Sequence, residues 1–349
     1  WKQVKNGFPS VSTMDMVIQE PESALIIGTF GRAIWVLDDL LSLREIASNR
    51  LNATLTALPV NDAVQVKGLF INPPGNIWTG FHTTFEGENK VFQKTKIPYY
   101  LQLLKDSSEI VTATILNDNK GWINTIQGDS LKLGLNYLTW NLDEKSADFP
   151  GSSTGAQKIS VLPGKYHVVI NYGGAIDTTS VKVIPDPRFK IAPEVDIELY
   201  KFRKTLDTLV WSLSKGLQEV DTQKGAVVAL KKQLDTLNGS RKASLLKRID
   251  KMEASLDQLR ATGQTPKPKR QVGAWQSFET TPFSKLQELL MVAEARTTPL
   301  SKQHLTRVGE VKELIAQFNT SVQKFKTDQW NSFQEKIKKS EMVWDKAWD

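Results

Sequence analysis

Side chains able to do chemistry are few and scattered in this chain of 349 residues. It has no cysteine and three histidines, which removes thiol nucleophiles, iron–sulfur clusters and thiolate zinc sites. His82, His167 and His304 fall in an expected loop, strand and helix respectively, with no ligand spacing among them. Asp38-Asp39 is an adjacent carboxylate pair in a patterned context. Glycoside hydrolysis needs two carboxylates across a bond, roughly 5–9.5 Å apart. Neighbours at a strand end suit a helix cap better, with Asp38 or Asp39 accepting backbone N–H bonds ahead of Leu40. Gly28-Thr29-Phe30-Gly31 has the glycines of a phosphate loop, but no Gly-Lys-Ser/Thr follows and the next segment reads as a strand, so turn glycines are expected. No catalytic, cofactor-binding or metal-binding residue is assigned, and no cofactor is expected.

The elements that would carry any site divide by period. Residues 14–37 alternate as short strands: Met14, Met16 and Ile18, then Leu25-Ile26-Ile27-Gly28, then Ala33-Ile34-Trp35-Val36-Leu37, with Gly28 and Gly31 at turns. They cannot make a core alone. Leu40–Ala47 reads as a short helical turn, and residues 49–90 as a β-rich linker. From 91 to 188 the period stays near two, with expected strands at Tyr99–Leu104, Ile110–Leu116, Leu135–Leu142, Gly164–Tyr172 and Thr178–Ile184. About seven short strands in such a stretch suit an immunoglobulin-like sandwich, with Trp140 and Tyr166 as core aromatics.

Beyond Pro185-Asp186-Pro187-Arg188 the spacing becomes helical. Leu199, Phe202, Leu206, Leu209, Leu213, Leu217 and Val220 begin a long stripe that resumes through Leu237. Asn238-Gly239-Ser240 ends it. A second stripe runs from Leu245 to Leu259, residues 261–273 form a loop, Thr281-Pro282 opens a shorter helix, and Leu305 to Phe325 marks a fourth. The expectation is a four-helix antiparallel bundle over 189–349, with Gly216 and Gly225 weakening its first helix.

Charge sharpens that division. Residues 1–190 carry 18 basic and 18 acidic side chains and residues 191–349 carry 27 and 20, so the net +7 belongs to the helical part. A Lys-rich solvated surface and a basic face for an anionic partner both fit. Lys267, Lys269 and Arg270 concentrate the charge in Pro266–Arg270. No nucleic-acid module accompanies them, and no nucleic-acid partner is expected. Trp275, Trp330, Trp344 and Trp348 cluster in the last third of the chain; Trp330 and Trp344 suit closing the bundle's end, and exposed indoles suit stacking on sugars or a partner interface. Trp1 stands where an initiator Met would be, which reads as a processed or excised piece.

Asp15-Met16-Val17-Ile18 followed by Gly28-Thr29-Phe30-Gly31-Arg32-Ala33-Ile34-Trp35-Val36-Leu37-Asp38-Asp39-Leu40 and Leu43-Arg44 resembles the last-blade signature of exported bacterial sortilin-type, BNR-like β-propeller proteins, often labelled glycosyl hydrolases. Ala33 stands where that family usually has Gly. Gly134-Leu135-Asn136, Trp140-Asn141-Leu142, Leu162-Pro163-Gly164-Lys165-Tyr166 and Lys182 to Arg188 are similar to the family's C-terminal immunoglobulin-like domain, itself like that of flagellar hook-capping proteins.

The resemblance implies a multidomain α+β chain: final propeller-blade strands over 1–48, incomplete; the linker; an Ig-like sandwich; and the helical bundle. It implies export to the cell surface, outer membrane or periplasm of a Gram-negative bacterium. The role implied is non-catalytic, in protein or glycan binding and complex assembly. Alternatives are an accessory part of a glycoside hydrolase with its carboxylates in other blades, or a subunit of an outer-membrane complex. Blade strands need neighbours, so the remaining propeller blades are the expected partner. Candidate interface residues are Asp15, Ile18, Ile34, Trp35, Lys267, Lys269, Arg270, Trp344 and Trp348. Asp129-Ser130-Leu131 and Asp177-Thr178-Thr179 resemble bacterial O-glycosylation sites.

Overall fold

The computed structural model describes residues 8, 10–20, 23–31, 33–48, 51, 53–65, 95–104, 109–128, 131–148, 159–187, 189–234, 240–264, 280–340 and 342. The chain is multidomain α+β, with two compact units: Trp1–Lys145 with Ser160–Lys190, and Ser146–Ile159 with Ile191–Asp349.

The first unit begins with an antiparallel meander of β1 (Thr13–Gln19), β2 (Ala24–Thr29) and β3 (Ile34–Leu37). Its turns need left-handed backbone, which Ser23 supplies at φ 49°, Gly31 at 76° and Ala33 at 63°. Helix α1 (Leu40–Ala47) follows, as its sequence pattern anticipates. The carboxylate of Asp39 caps it by accepting from the Ser42 N–H at 3.0 Å, so the Asp38-Asp39 expectation of a cap holds at Asp39.

Two further sheets share one core. One joins β4 (Leu55–Ala57), β6 (Thr95–Leu101) and β9 (Gly134–Trp140) in the order β4-β6-β9. The other joins β5 (Ala63–Gln65), β7 (Thr112–Asn117), β8 (Trp122–Gln127), β10 (Gly164–Tyr172) and β11 (Ala175–Pro185) in the order β5-β11-β10-β7-β8. Alternate residues face inward: Ile97, Tyr99 and Leu101; Ala113 and Ile115; Leu138 and Trp140; Tyr166, Val168, Ile170 and Tyr172; Val181 and Val183. The Trp140 and Tyr166 rings meet edge to face at 5.3 Å, and the indole N–H donates to the Asp143 carbonyl at 2.9 Å. Strands β4 and β5 fall in the stretch read as a linker. They enter the sheets because Leu55 and Ala63 bury completely enough to join the core.

The second unit is helical: α2 (Pro193–Gln233), α3 (Ser240–Gly263), α4 (Pro282–Ala295), α5 (Lys302–Phe325) and α6 (Asn331–Lys338). Ala261–Gly263, read as the start of a loop, is the last part of α3. Helix α2 runs unbroken through Gly216 and Gly225 for 41 residues, or about 60 Å. Ion pairs between Asp221 and Arg260, Lys224 and Asp257, and Lys231 with Asp250 and Glu253 fix α3 antiparallel along its C-terminal half. Arg203, buried, donates from Nε and Nη2 to the Ala293 carbonyl at 3.1 and 3.0 Å, holding the last turn of α4 against the N-terminal half.

Helix α5 departs from the expected antiparallel order. Asn319 meets Ser212, while Gln323 and Lys326 meet Glu219. Residue numbers rise together on both helices, so α5 runs parallel to α2. The physical reason is length: α3 and α4 each cover only part of α2, one after the other, which leaves α5 to run along its third side. A π turn at Lys326–Trp330 joins α5 to α6. The buried positions Val322, Phe325, Trp330, Phe333 and Ile337 include one step of five. The wider π turn absorbs the extra residue and keeps Trp330 on the apolar side.

Candidate interaction surface

The β1–β3 sheet is apolar on both faces. Register places Met16, Ile27 and Trp35 in one row and Ile18, Leu25 and Leu37 in the next on that face. Val17, Ile26 and Val36, together with Ile34, occupy the other face. A sheet apolar on both sides is ordinarily covered on both. Here Met16 is 62% exposed, Val17 57%, Ile34 70% and Val36 54%. Strands β1 and β3 form the edges, and among the described residues each pairs only with β2. Unpaired edges leave backbone donors and acceptors open to another strand.

The structure therefore brings together four of the residues named from sequence. Asp15 and Ile34 flank Gly28 across three strands, and Ile18 and Trp35 lie on the opposite face. The Asp15 carboxylate accepts from the Met16 N–H at 2.8 Å. Trp35 is in edge contact with Phe8, ring centroids 5.7 Å apart. Met16, Val17, Val36 and Phe30 belong to the same meander and carry more exposure than Trp35. Their alternation was visible, but not which apolar strand faces would stay uncovered. Lys267, Lys269, Arg270, Trp344 and Trp348 lie outside the described residues.

Within the same unit, Tyr137 on β9 is tied to the helix cap: its hydroxyl bonds the Asp39 carboxylate. Burial first, then the Asp39 charge and that hydrogen bond, push the Tyr137 phenol well above its ordinary value. Lys96 Nζ lies 5.7 Å from the centre of the Tyr137 ring. Asp39 thus serves the α1 N-terminus and Tyr137 together.

The histidines are separated. His167 Nε2, on the outward side of the central strand β10, lies 3.6 Å from the exposed carboxylate of Asp118. His304 Nδ1 accepts from the Ser301 N–H at 3.1 Å in the capping box of α5. His82 lies outside the described residues, among which no three His, Asp or Glu side chains gather to hold a metal. No helix among the described residues is long and apolar enough to cross a membrane. Trp330 is buried against Phe333.

Asp177 accepts from the Ala57 N–H at 2.8 Å, and Thr179 donates to the Leu58 carbonyl at 2.9 Å. Both side chains hold β11 to the β4 segment. Asp129 and Ser130 lie outside the described residues. So does Gly151-Ser152-Ser153-Thr154-Gly155, which has the Gly-x-Ser-x-Gly form of a nucleophile elbow but follows Phe149-Pro150 rather than a strand-like run. Neither the models of known protein families nor the curated proteins contain a match to this chain.

Proposed function

We propose that this chain is a non-catalytic binding and assembly region of an exported, cell-surface or periplasmic β-propeller protein of the sortilin-like type, completing its propeller with strands β1–β3. The observation that carries the reading is the meander itself: two apolar faces with exposed side chains, between two edges that among the described residues pair with no further strand. A blade within a propeller is covered by neighbours on both faces and paired at its inner strands, which is the environment these side chains call for. The two-sheet body is then the immunoglobulin-like domain, and the helical unit is a packing and contact module. Asp39, capping α1 and bonded to Tyr137, favours a structural over a hydrolytic role for the carboxylate pair.

The test is co-expression of the chain with the remaining propeller blades, followed by co-purification and amide hydrogen exchange. The expected result is a complex in which amides of β1 and β3 gain protection, lost in the Met16→Asp/Ile34→Asp variant. A chain that purifies alone, with β1 and β3 exchanging at the same rate in either case, would sink the reading.

A further inference from the structure

Strand β8 turns its largest side chain to solvent by means of a bulge. Ile126 and Asn124 lie opposite the buried Ala113 and Ile115 of β7, so Gln127 and Thr125 face outward, and simple alternation would turn Ile123 out and Trp122 in. The register slips instead, and Trp122 lies opposite Leu116. The extra residue, Ile123, is buried, while Trp122 is 56% exposed. A bulge re-aims a side chain at the expense of regular pairing, and this one takes a tryptophan off the core side. The indole N–H donates to the Thr125 hydroxyl at 3.1 Å, which draws the ring along its own strand.

The outward face that the ring joins is polar. Register places Thr125, Thr114, Val169 and Thr178 in the next row, and Gln127, Thr112, Asn171 and Ile176 in the one after it. Among the described residues, the side chains of Thr112, Thr114, Gln127, Asn171 and Thr178 make no hydrogen bond. Each row runs straight across four strands, about 14 Å.

Formal charge stays out of both rows. Asp177, on the inward register, accepts from the Ala57 N–H at 2.8 Å. Glu109 shares the parity of buried Val111 and not that of Thr112. At the opposite end, beyond the Trp122 row, Lys165 stands across from Lys182, which lies 3.8 Å from Asp62. Asp118 sits beside His167 there, and Lys120 belongs to the adjoining turn.

We infer that this face of the two-sheet unit binds a neutral, extended β-linked polysaccharide, one sugar packing on the Trp122 indole and its neighbours presenting hydroxyls to Thr114, Gln127, Asn171 and Thr178. An aromatic plane beside uncharged donors and acceptors complements a ligand with apolar ring faces and a rim of hydroxyls. An acidic polymer would meet no cation in either row. An apolar protein surface would bury these hydroxyls and amides without partners. A membrane would need a broad apolar face.

The inference gives the binding role proposed above a ligand class and rests on it. Strand pairing by β1–β3 is read by a different assay, so either can fail alone.

The experiment titrates the full chain calorimetrically with cellohexaose and mannohexaose, both β-linked, and in parallel with α-linked maltohexaose and phosphatidylcholine vesicles. Three variants are compared: Trp122→Ala; Thr178→Val/Gln127→Met, which keeps shape and removes hydrogen-bonding groups; and Trp211→Ala, which removes an indole 58% exposed on α2. Unchanged melting temperatures establish that the variants fold. Expected are saturable binding of at least one β-linked hexasaccharide, insensitive to added salt, a loss of at least tenfold in Trp122→Ala and threefold in the double variant, and less than twofold change in Trp211→Ala. Binding of neither β-linked sugar, equally tight binding of maltohexaose or vesicles, loss of binding in salt, indifference to Trp122→Ala or to the double variant, or an equal loss in Trp211→Ala would each overturn the inference.

Discussion

Asn319 on α5 donates from its side-chain amide to both the carbonyl and the hydroxyl of Ser212 on α2, at 3.2 and 3.1 Å. One side chain thereby fixes the height at which two parallel helices meet. The approach is close enough that the facing position on α2, Gly216, has no room for a Cβ.

Substitution at the two mid-helix glycines of α2 is expected to have opposite signs. A Cβ at Gly216 would fall 2.2 Å from Asn319 Oδ1 and 2.9 Å from the Phe318 ring, whereas at Gly225 nothing lies within 4 Å. Alanine improves helix propensity by about 1 kcal/mol at either site, but overpacking costs about 1–3 kcal/mol. Denaturant unfolding should show Gly225→Ala more stable than the parent and Gly216→Ala less stable. Stabilisation by both would refute the close approach of α5.

Ala33, at φ 63°, holds a conformation that costs an L-residue roughly 1–2 kcal/mol relative to glycine. Part of that gain is offset by glycine's greater freedom in the unfolded chain. Ala33→Gly should stabilise the β2–β3 turn by up to about 1 kcal/mol, read as slower amide exchange across the Ile27–Trp35 pairing. Faster exchange would show that the turn is not strained.

Asp39→Ala should remove two contacts at once. Loss of the cap costs about 1 kcal/mol, seen as faster exchange in α1. Tyr137 should then titrate closer to its ordinary value in a spectrophotometric titration, because the carboxylate that helps raise it is gone. An unchanged Tyr137 titration would contradict that coupling.

Alkaline pH should weaken the two-sheet unit through its buried tyrosines. Burial, and then Tyr172, push Tyr99 up to about 12, and burial with the Glu144 charge raises Tyr166 as well. Both phenols stay neutral in the fold when their unfolded counterparts ionise near 10. Their contribution is complete below about pH 10 and declines as pH rises through the folded values. Urea midpoints measured from pH 8 to 11.5 should fall above pH 10, less steeply in Tyr99→Phe. Since Tyr166 donates to the Leu162 carbonyl at 2.7 Å, Tyr166→Phe should cost about 1 kcal/mol at neutral pH. A flat pH profile in the parent would count against both burials.

Much of this architecture was legible because it follows from local spacing. The apolar stripe from Leu199 to Leu230 could be read at helical period, and Gly164–Tyr172 at a period of two. Strand β8 escaped notice since Trp122, Asn124 and Thr125 mix polar and apolar side chains around a single well-buried Ile123. Helix α6 escaped because the five-residue step to Trp330 breaks the 3.6 period that pattern reading relies on. Of the candidate surface, Asp15, Ile18, Ile34 and Trp35 were identifiable as strand residues.

By itself, the order of residues determined that thiol chemistry is absent, that the net positive charge belongs to the helical part, and that the period changes after Pro185. These depend on composition and on contacts a few residues apart. Tertiary structure decided that α5 runs parallel to α2, that Gly216 serves a helix contact, and that Met16, Val17, Ile34 and Val36 of the β1–β3 meander are exposed. Such features depend on which surfaces meet across more than a hundred residues of chain, where many partners satisfy the same apolar pattern and packing selects one.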